Sequence, residues 1–349
     1  MHCRISLDWT YKGMRTLVME NSLVRLISLL DKGSDIMELL YKPLDINLMW
    51  QSPIGWRNPL REASANPVTH GGFLDYYGGG WQDIAPSAGG HPVVYRGAEL
   101  GIHGESTMLP WSCVVEEESR ESVSAYMYVD GIRYPFRLEK HLTIYDGETT
   151  VYFREKLVNK AGQTLEFSWL QHPSFGEPFL EPGCKIELPH GSRVLVQDER
   201  YNPHGRIKPG EYEWPMVVGR DGKMIDLSII PDRDIVAEET TFITGMSEGK
   251  YTILNPRNGL GFRMVWDRSL FRYLWFWQNY NTPDYPWYGD AWNIALEPCT
   301  SYPAGLPDQV REGTTITIKG RQYVETSFKA EILDMRRGES FNASHVSSI

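Results

Sequence analysis

Three Asp-Gly pairs, each set against short apolar runs, constrain this chain more than any other feature. Asp130-Gly131 divides residues 124–129 from 132–138, and Asp146-Gly147 divides 141–145 from 149–158. Asp221-Gly222 stands just before 224–230. A two-residue Asp-Gly loop favours the type I′ turn that joins antiparallel strands. Val151, Phe153, Glu155 and Leu157 alternate with Tyr152, Arg154, Lys156 and Val158, the two-residue period of a strand. Further short runs lie at 16–19, 165–170, 261–266, 273–278, 292–296, 314–319 and 322–329. The run 23–30 fits a helix by period alone, but Asn21 and Asp31-Lys32-Gly33 bound it at strand length. No stretch reads as an amphipathic helix of three turns. The expected fold is all-β, a large antiparallel β-sandwich over residues 1–334, followed by a polar, disordered tail at 335–349.

Charge narrows the partners. The net charge of −10 argues against nucleic acid or an anionic membrane, since both call for basic patches. Four cysteines (Cys3, Cys113, Cys184, Cys299) are far apart, with neither a disulfide framework nor a zinc-ligand spacing. No signal-peptide pattern opens the sequence, and no apolar run has the length of a membrane span. A cytoplasmic location is the expectation. The segment 69–104 is rich in glycine (Gly71-Gly72, Gly78-Gly79-Gly80, Gly89-Gly90) but is not spaced as a phosphate loop.

Chemistry concentrates in three places. From Phe271 to Trp292, 22 residues carry ten aromatics, and Glu297 follows the apolar run Asn293-Ile294-Ala295-Leu296. Rings stack on the apolar faces of a pyranose and a carboxylate handles hydroxyl protons, so this reads as a sugar cleft; an aromatic core with a surface Glu is the plainer alternative. His103 lies between glycines in Gly101-Ile102-His103-Gly104. His172 precedes Pro173 at the end of the run 165–170, and a residue before proline is held extended. His70, His91, His103 and His172 could ligate a metal, but none is spaced as HExxH or HxH, so no metal is expected.

Taken together, His103-Gly104, Gln171-His172-Pro173-Ser174-Phe175 and Ala295-Leu296-Glu297-Pro298-Cys299-Thr300 resemble the aldose 1-epimerase (galactose mutarotase-like) family. The opening segment 21–40 is similar too, so the resemblance spans roughly Leu17 to Lys329. It implies the galactose mutarotase-like supersandwich. It also implies interconversion of the α and β anomers of an aldose by ring opening and closure, without a cofactor. Glu297 would be the base at the anomeric hydroxyl and His172 the acid at the ring oxygen, on opposite sides of one acetal carbon. His103 would hydrogen-bond a sugar hydroxyl.

The chain departs from the family's pattern at the sugar contacts. An Asn-Arg pair expected before the His-Gly loop is missing from 79–89, where Trp81 and Asp83 are the substitutes. The family's Gln-Phe-Tyr stretch corresponds to 274–278, with Trp275 or Gln278 in the Gln role and Trp277 as a further lining ring. Asp232 is the candidate for the family's substrate-binding Asp. The resemblance therefore implies a divergent branch. A small-molecule sugar is the expected partner. A homodimer is left open, because the aromatic run could equally form a surface between copies. Two other classes stay in view: a non-catalytic sugar-binding or sensor protein on this fold, and a glycoside hydrolase or lyase pairing Glu297 with Asp83 or Asp290. A sugar-phosphate variant would need basic residues at the cleft, with Arg96, Arg206 and Lys208 as candidates.

Overall fold

Burial alternates along the strand Phe136–Tyr145: Phe136, Leu138, Lys140, Leu142 and Ile144 are inside, and the residues between them are partly exposed. One face of the sheet therefore points to a core and the other to solvent. The computed structural model describes residues 2–65 and 71–337, and it repeats this pattern in two large antiparallel sheets. Among the described residues one sheet has 13 strands and the other eight. The larger sheet carries, side by side, Asp35–Tyr41, β1 (Trp81–Ile84), β2 (Leu170–Phe175), β5 (Trp292–Cys299), β4 (Tyr273–Tyr280) and β3 (Ala237–Thr244). The smaller runs from Ser112–Glu118 through Phe136–Tyr145, Thr150–Asn159 and Tyr323–Asp334 to Lys185–Glu187.

The inward faces meet in one apolar core. Trp81 of the larger sheet stacks on Phe153 of the smaller at 4.9 Å, and Phe175 meets Phe262 at 4.8 Å. The only helices among the described residues are the short Gly71–Leu74 and Leu306–Arg311, with three 3-10 turns. No described helix is long and apolar enough to cross a membrane.

The second and third hairpins form around Gly147 and Gly222, both with positive φ. The first hairpin forms, but not through a two-residue turn. Residues 131–135 make a longer loop, because the Glu105 carboxylate accepts the backbone N–H groups of Ile132, Arg133 and Tyr134. The run 165–170 also divides. Leu165–Phe167 pairs with Ile316–Ile318, and Leu170–Phe175 joins the large sheet. His172 is therefore within a strand, not at its end. Glu297 likewise lies inside β5, which continues through Pro298 to Cys299. Most of the expected tail, 338–349, lies outside the described residues, as does His70.

Candidate active site

Strands β2 and β5 are neighbours, and their pairings Leu170↔Cys299 and Ser174↔Ala295 bring His172 opposite Glu297. The ladder is interrupted between those two pairings. Pro173 and Pro298, one on each strand there, have no N–H to give. Across this gap His172 Nε2 lies 3.5 Å from Glu297 Oε1, with 5% and 3% of the two side chains exposed. On the other side, β4 sets Trp275 opposite Glu297 and Trp277 opposite Ala295.

Both groups open into a cavity of about 460 Å³. Its walls include Phe73, Tyr77, His103, Trp275, Trp277 and Trp287. Trp50 braces three of these rings from behind, at 5.8 Å from Tyr77, 6.3 Å from Trp277 and 5.3 Å from Trp287. His103 arrives on a loop with positive φ, 58° at His103 and 71° at Gly104. A Cβ at Gly104 would stand 2.4 Å from the Ala85 carbonyl oxygen, so only glycine lets this loop lie against the end of β1. The His103 ring is 5.2 Å from that of His172 and 4.7 Å from Phe73. Its Nδ1 has no hydrogen-bond partner among the described residues.

Behind His172, the Ser174 hydroxyl is 3.2 Å from Nδ1 and 2.6 Å from the Tyr77 hydroxyl. Toward the mouth, the Trp277 indole N–H donates to Glu238 Oε1 at 3.3 Å, and His204 Nε2 meets Asp284 Oδ2 at 2.7 Å. Neither Lys nor Arg is among the described residues that line the cavity.

Burial dominates the electrostatics. It raises the Glu297 carboxyl well above the ordinary carboxylate range. It lowers His172 to about 4, with Lys32 adding to the effect. His103 is held well below its ordinary value by burial, then by His172 and Lys32. Burial thus favours an uncharged carboxylic acid beside an uncharged imidazole.

A family model described as a domain of unknown function, DUF4432, matches residues 11–332. The chain belongs to the DUF4432 family. No curated protein matches its sequence. Solved structures that it resembles include a provisionally assigned aldose 1-epimerase from Klebsiella pneumoniae, at a TM-score of 0.74 and 16% identity, covering 96% of this chain and 84% of that one. A galactose mutarotase-like protein from Clostridium acetobutylicum aligns at a TM-score of 0.63 and 13% identity, covering 96% and 99%. A provisionally assigned aldose 1-epimerase from Escherichia coli K12 aligns at 0.61 and 14%, covering 92% and 99%. The fold is therefore the galactose mutarotase-like sandwich, and this DUF4432 chain is a divergent example of it.

Within this family member, five of the residues singled out for catalysis or sugar contact line the cavity, Glu297, His172, His103, Trp275 and Trp277, and so does His91, named only as a possible metal ligand. Trp81, Asp83 and Gln278 do not. The two-residue period is the reason. Trp81 and Asp83 leave β1 toward the core between the sheets, where Trp81 stacks on Phe153 and donates its N–H to Gln171 Oε1. Asp83 is paired with the buried Lys140 and accepts from Gln171 Nε2. Gln278 is one step out of phase with Trp275 and Trp277, and its Oε1 accepts from Arg206. Asp232 is exposed and outside the cavity wall. Arg96 pairs with Glu166, Arg206 with Glu239, and Lys208 is exposed, so none of them lines the cavity. Tyr77, Ser174 and Glu238 were missed from the sequence. Ser174 was within reach, since it stands two residues from His172 and so shares its face.

Proposed function

We propose that this protein interconverts the α and β anomers of an uncharged aldose, as a cofactor-independent carbohydrate epimerase. The observation that carries this reading is the 3.5 Å contact between His172 Nε2 and Glu297 Oε1 in a ring-lined cavity. The sequence suggested groups on opposite sides of the anomeric carbon. Here they stand side by side in one wall, a placement suited to O1 and O5, the two oxygens of one acetal carbon. Glu297 takes the proton from the anomeric hydroxyl and His172 gives one to the ring oxygen. The C1–O5 bond breaks with its electron pair on oxygen, C1 rotates as the free aldehyde, and closure on the other face reverses both transfers.

The pair needs one shared proton throughout. Carboxylate and imidazolium face the closed ring; carboxylic acid and neutral imidazole face the open chain. Burial favours the second, uncharged form, which lowers the cost of opening the ring. Binding of a closed sugar, whose O1 hydroxyl donates to Glu297 while O5 accepts from His172, favours the first.

The cavity wall supports an uncharged sugar, because among the described lining residues no Lys or Arg meets a phosphate, while Glu238 and Glu297 would oppose one. The hydrolase alternative gains little. Asp83 lies in the core between the sheets and Asp290 is exposed, outside the cavity wall. Anomer exchange measured by NMR saturation transfer on free aldoses and aldose 6-phosphates tests the proposal. Acceleration confined to uncharged sugars is expected. Binding without acceleration on any sugar would turn the reading to a sugar-binding protein.

A further inference from the structure

We infer that Ser174 and Tyr77 are positioning residues that occupy Nδ1 of His172 and leave Nε2 as the nitrogen that exchanges a proton with the sugar. This rests on the epimerase reading but concerns residues which that reading does not require.

Ser174 and His172 leave the same face of β2. Ser174 is fully buried and Tyr77 is 2% exposed. The Ser174 hydroxyl has two side-chain neighbours, His172 Nδ1 at 3.2 Å and the Tyr77 hydroxyl at 2.6 Å. A hydroxyl gives one proton and accepts others, so this row can run in either direction. When Nδ1 is bare, Tyr77 donates to Ser174 and Ser174 donates to Nδ1. When Nδ1 carries a proton, it donates to Ser174, Ser174 donates to the Tyr77 oxygen, and the Tyr77 proton is released toward the cavity that Tyr77 lines. Nδ1 is satisfied both ways without movement of a heavy atom.

That reversal fits the proposed step. On ring opening the proton leaves Nε2 for the ring oxygen while Nδ1 keeps its own, held by Ser174. On closure Nε2 takes the proton back from the O5 hydroxyl. In this catalytic direction the Tyr77 hydroxyl is free to donate to the sugar. A ring without this anchor could turn and present the wrong nitrogen. The other groups that face His172 are Glu297 at Nε2, the His103 and Trp277 rings at 5.2 and 5.9 Å, and the charge of Lys32. Among the described side chains only Ser174 is hydrogen-bonded to Nδ1, and the histidine's own backbone also bonds its ring.

The test compares the full chain with its Ser174→Ala, Ser174→Thr and Tyr77→Phe variants. Ser174→Ala is expected to lower kcat by about tenfold to a hundredfold with KM little changed. Ser174→Thr, which keeps the hydroxyl, should restore most of it. Histidine ¹⁵N NMR of the sugar-free protein at neutral pH should show one His172 tautomer in wild type, with the proton on Nδ1 and donated to Ser174, and a mixture in Ser174→Ala. If Ser174→Ala does not fold, Tyr77→Phe reads the same chain through a smaller loss of kcat and a shifted His172 titration. Wild-type kcat and wild-type tautomer signals in both Ser174→Ala and Tyr77→Phe would overturn the inference. The tautomer measurement needs no sugar, so it stands apart from failure of the epimerase reading, which would appear as no exchange by the wild type.

Discussion

Lys32 Nζ lies 2.6 Å from Asp35 Oδ2, and neither side chain reaches solvent. The ammonium also sits 5.2 Å from the centre of the Phe73 ring, which lies nearly perpendicular to the His103 ring at 4.7 Å. A buried cation thus stands behind the two histidines. Burial already raises Asp35 to about 6. Lys32→Met would strand that carboxylate, and a loss of about 3–5 kcal/mol is expected. The His172 titration should move up at the same time, because one of the effects that lower it is gone. Denaturant unfolding and an NMR titration check both; unchanged stability would show that the pair contributes nothing.

The pH dependence follows from the site's two opposed shifts. Between the His172 value of about 4 and the raised value of Glu297, the pair holds one proton. Exchange should be level across this window. It should fall below about pH 4, as a second proton arrives, and on the alkaline side, as Glu297 loses its own. Stability has its own signature. A histidine with a folded value below its unfolded one binds fewer protons when folded, so stability drops as pH falls from about 6.5 toward the folded value. His103 acts in the same direction. Glu297 acts oppositely: its stabilisation is present at low pH and is lost as pH rises from about 4.3 through its raised folded value. Replacing His172 by Gln should weaken the acid-side loss, which unfolding curves at several pH values would register.

Asp83 offers a test of where the sugar contacts are not. Its carboxylate pairs with Lys140 at 2.5 Å between the sheets. Asp83→Ala should cost about 3–5 kcal/mol by removing the directly paired carboxylate of the buried Lys140. Sugar affinity of the folded protein should stay near wild type. A specific loss of affinity with stability intact would return Asp83 to the binding site.

Gly104 sets the position of His103. An alanine there must hold a positive φ and meet the Ala85 carbonyl at 2.4 Å. Gly104→Ala should therefore destabilise by at least about 1–3 kcal/mol and weaken sugar binding through a displaced His103. Thermal unfolding and a sugar titration check the two effects. Normal stability would mean the loop has another conformation available.

Much of this arrangement was legible in the residues. Asp-Gly pairs and the two-residue alternation at 151–158 identified antiparallel sheets, and the motifs around His103, His172 and Glu297 identified three groups that line one cavity. Pairing register was not legible. Trp81 and Asp83 stand in the right segment, but the phase of β1 turns them to the core. Gln278 fails for the same reason beside Trp277. His172 and Glu297 were read as lying at the ends of the runs 165–170 and 292–296. In fact both strands run through their prolines, and the shared gap in the ladder is where the pair sits. Tyr77, on the loop before β1, reaches Ser174 across 97 positions of sequence, a contact that no local pattern encodes.

The most direct test of the central claim is Glu297→Gln, assayed for anomer exchange and for sugar binding on the same NMR sample. Gln keeps the shape of Glu297 but cannot take the anomeric proton. The account predicts that exchange falls by about a hundredfold or more while sugar-dependent shifts of the cavity residues persist. Exchange at the wild-type rate in this variant would contradict it.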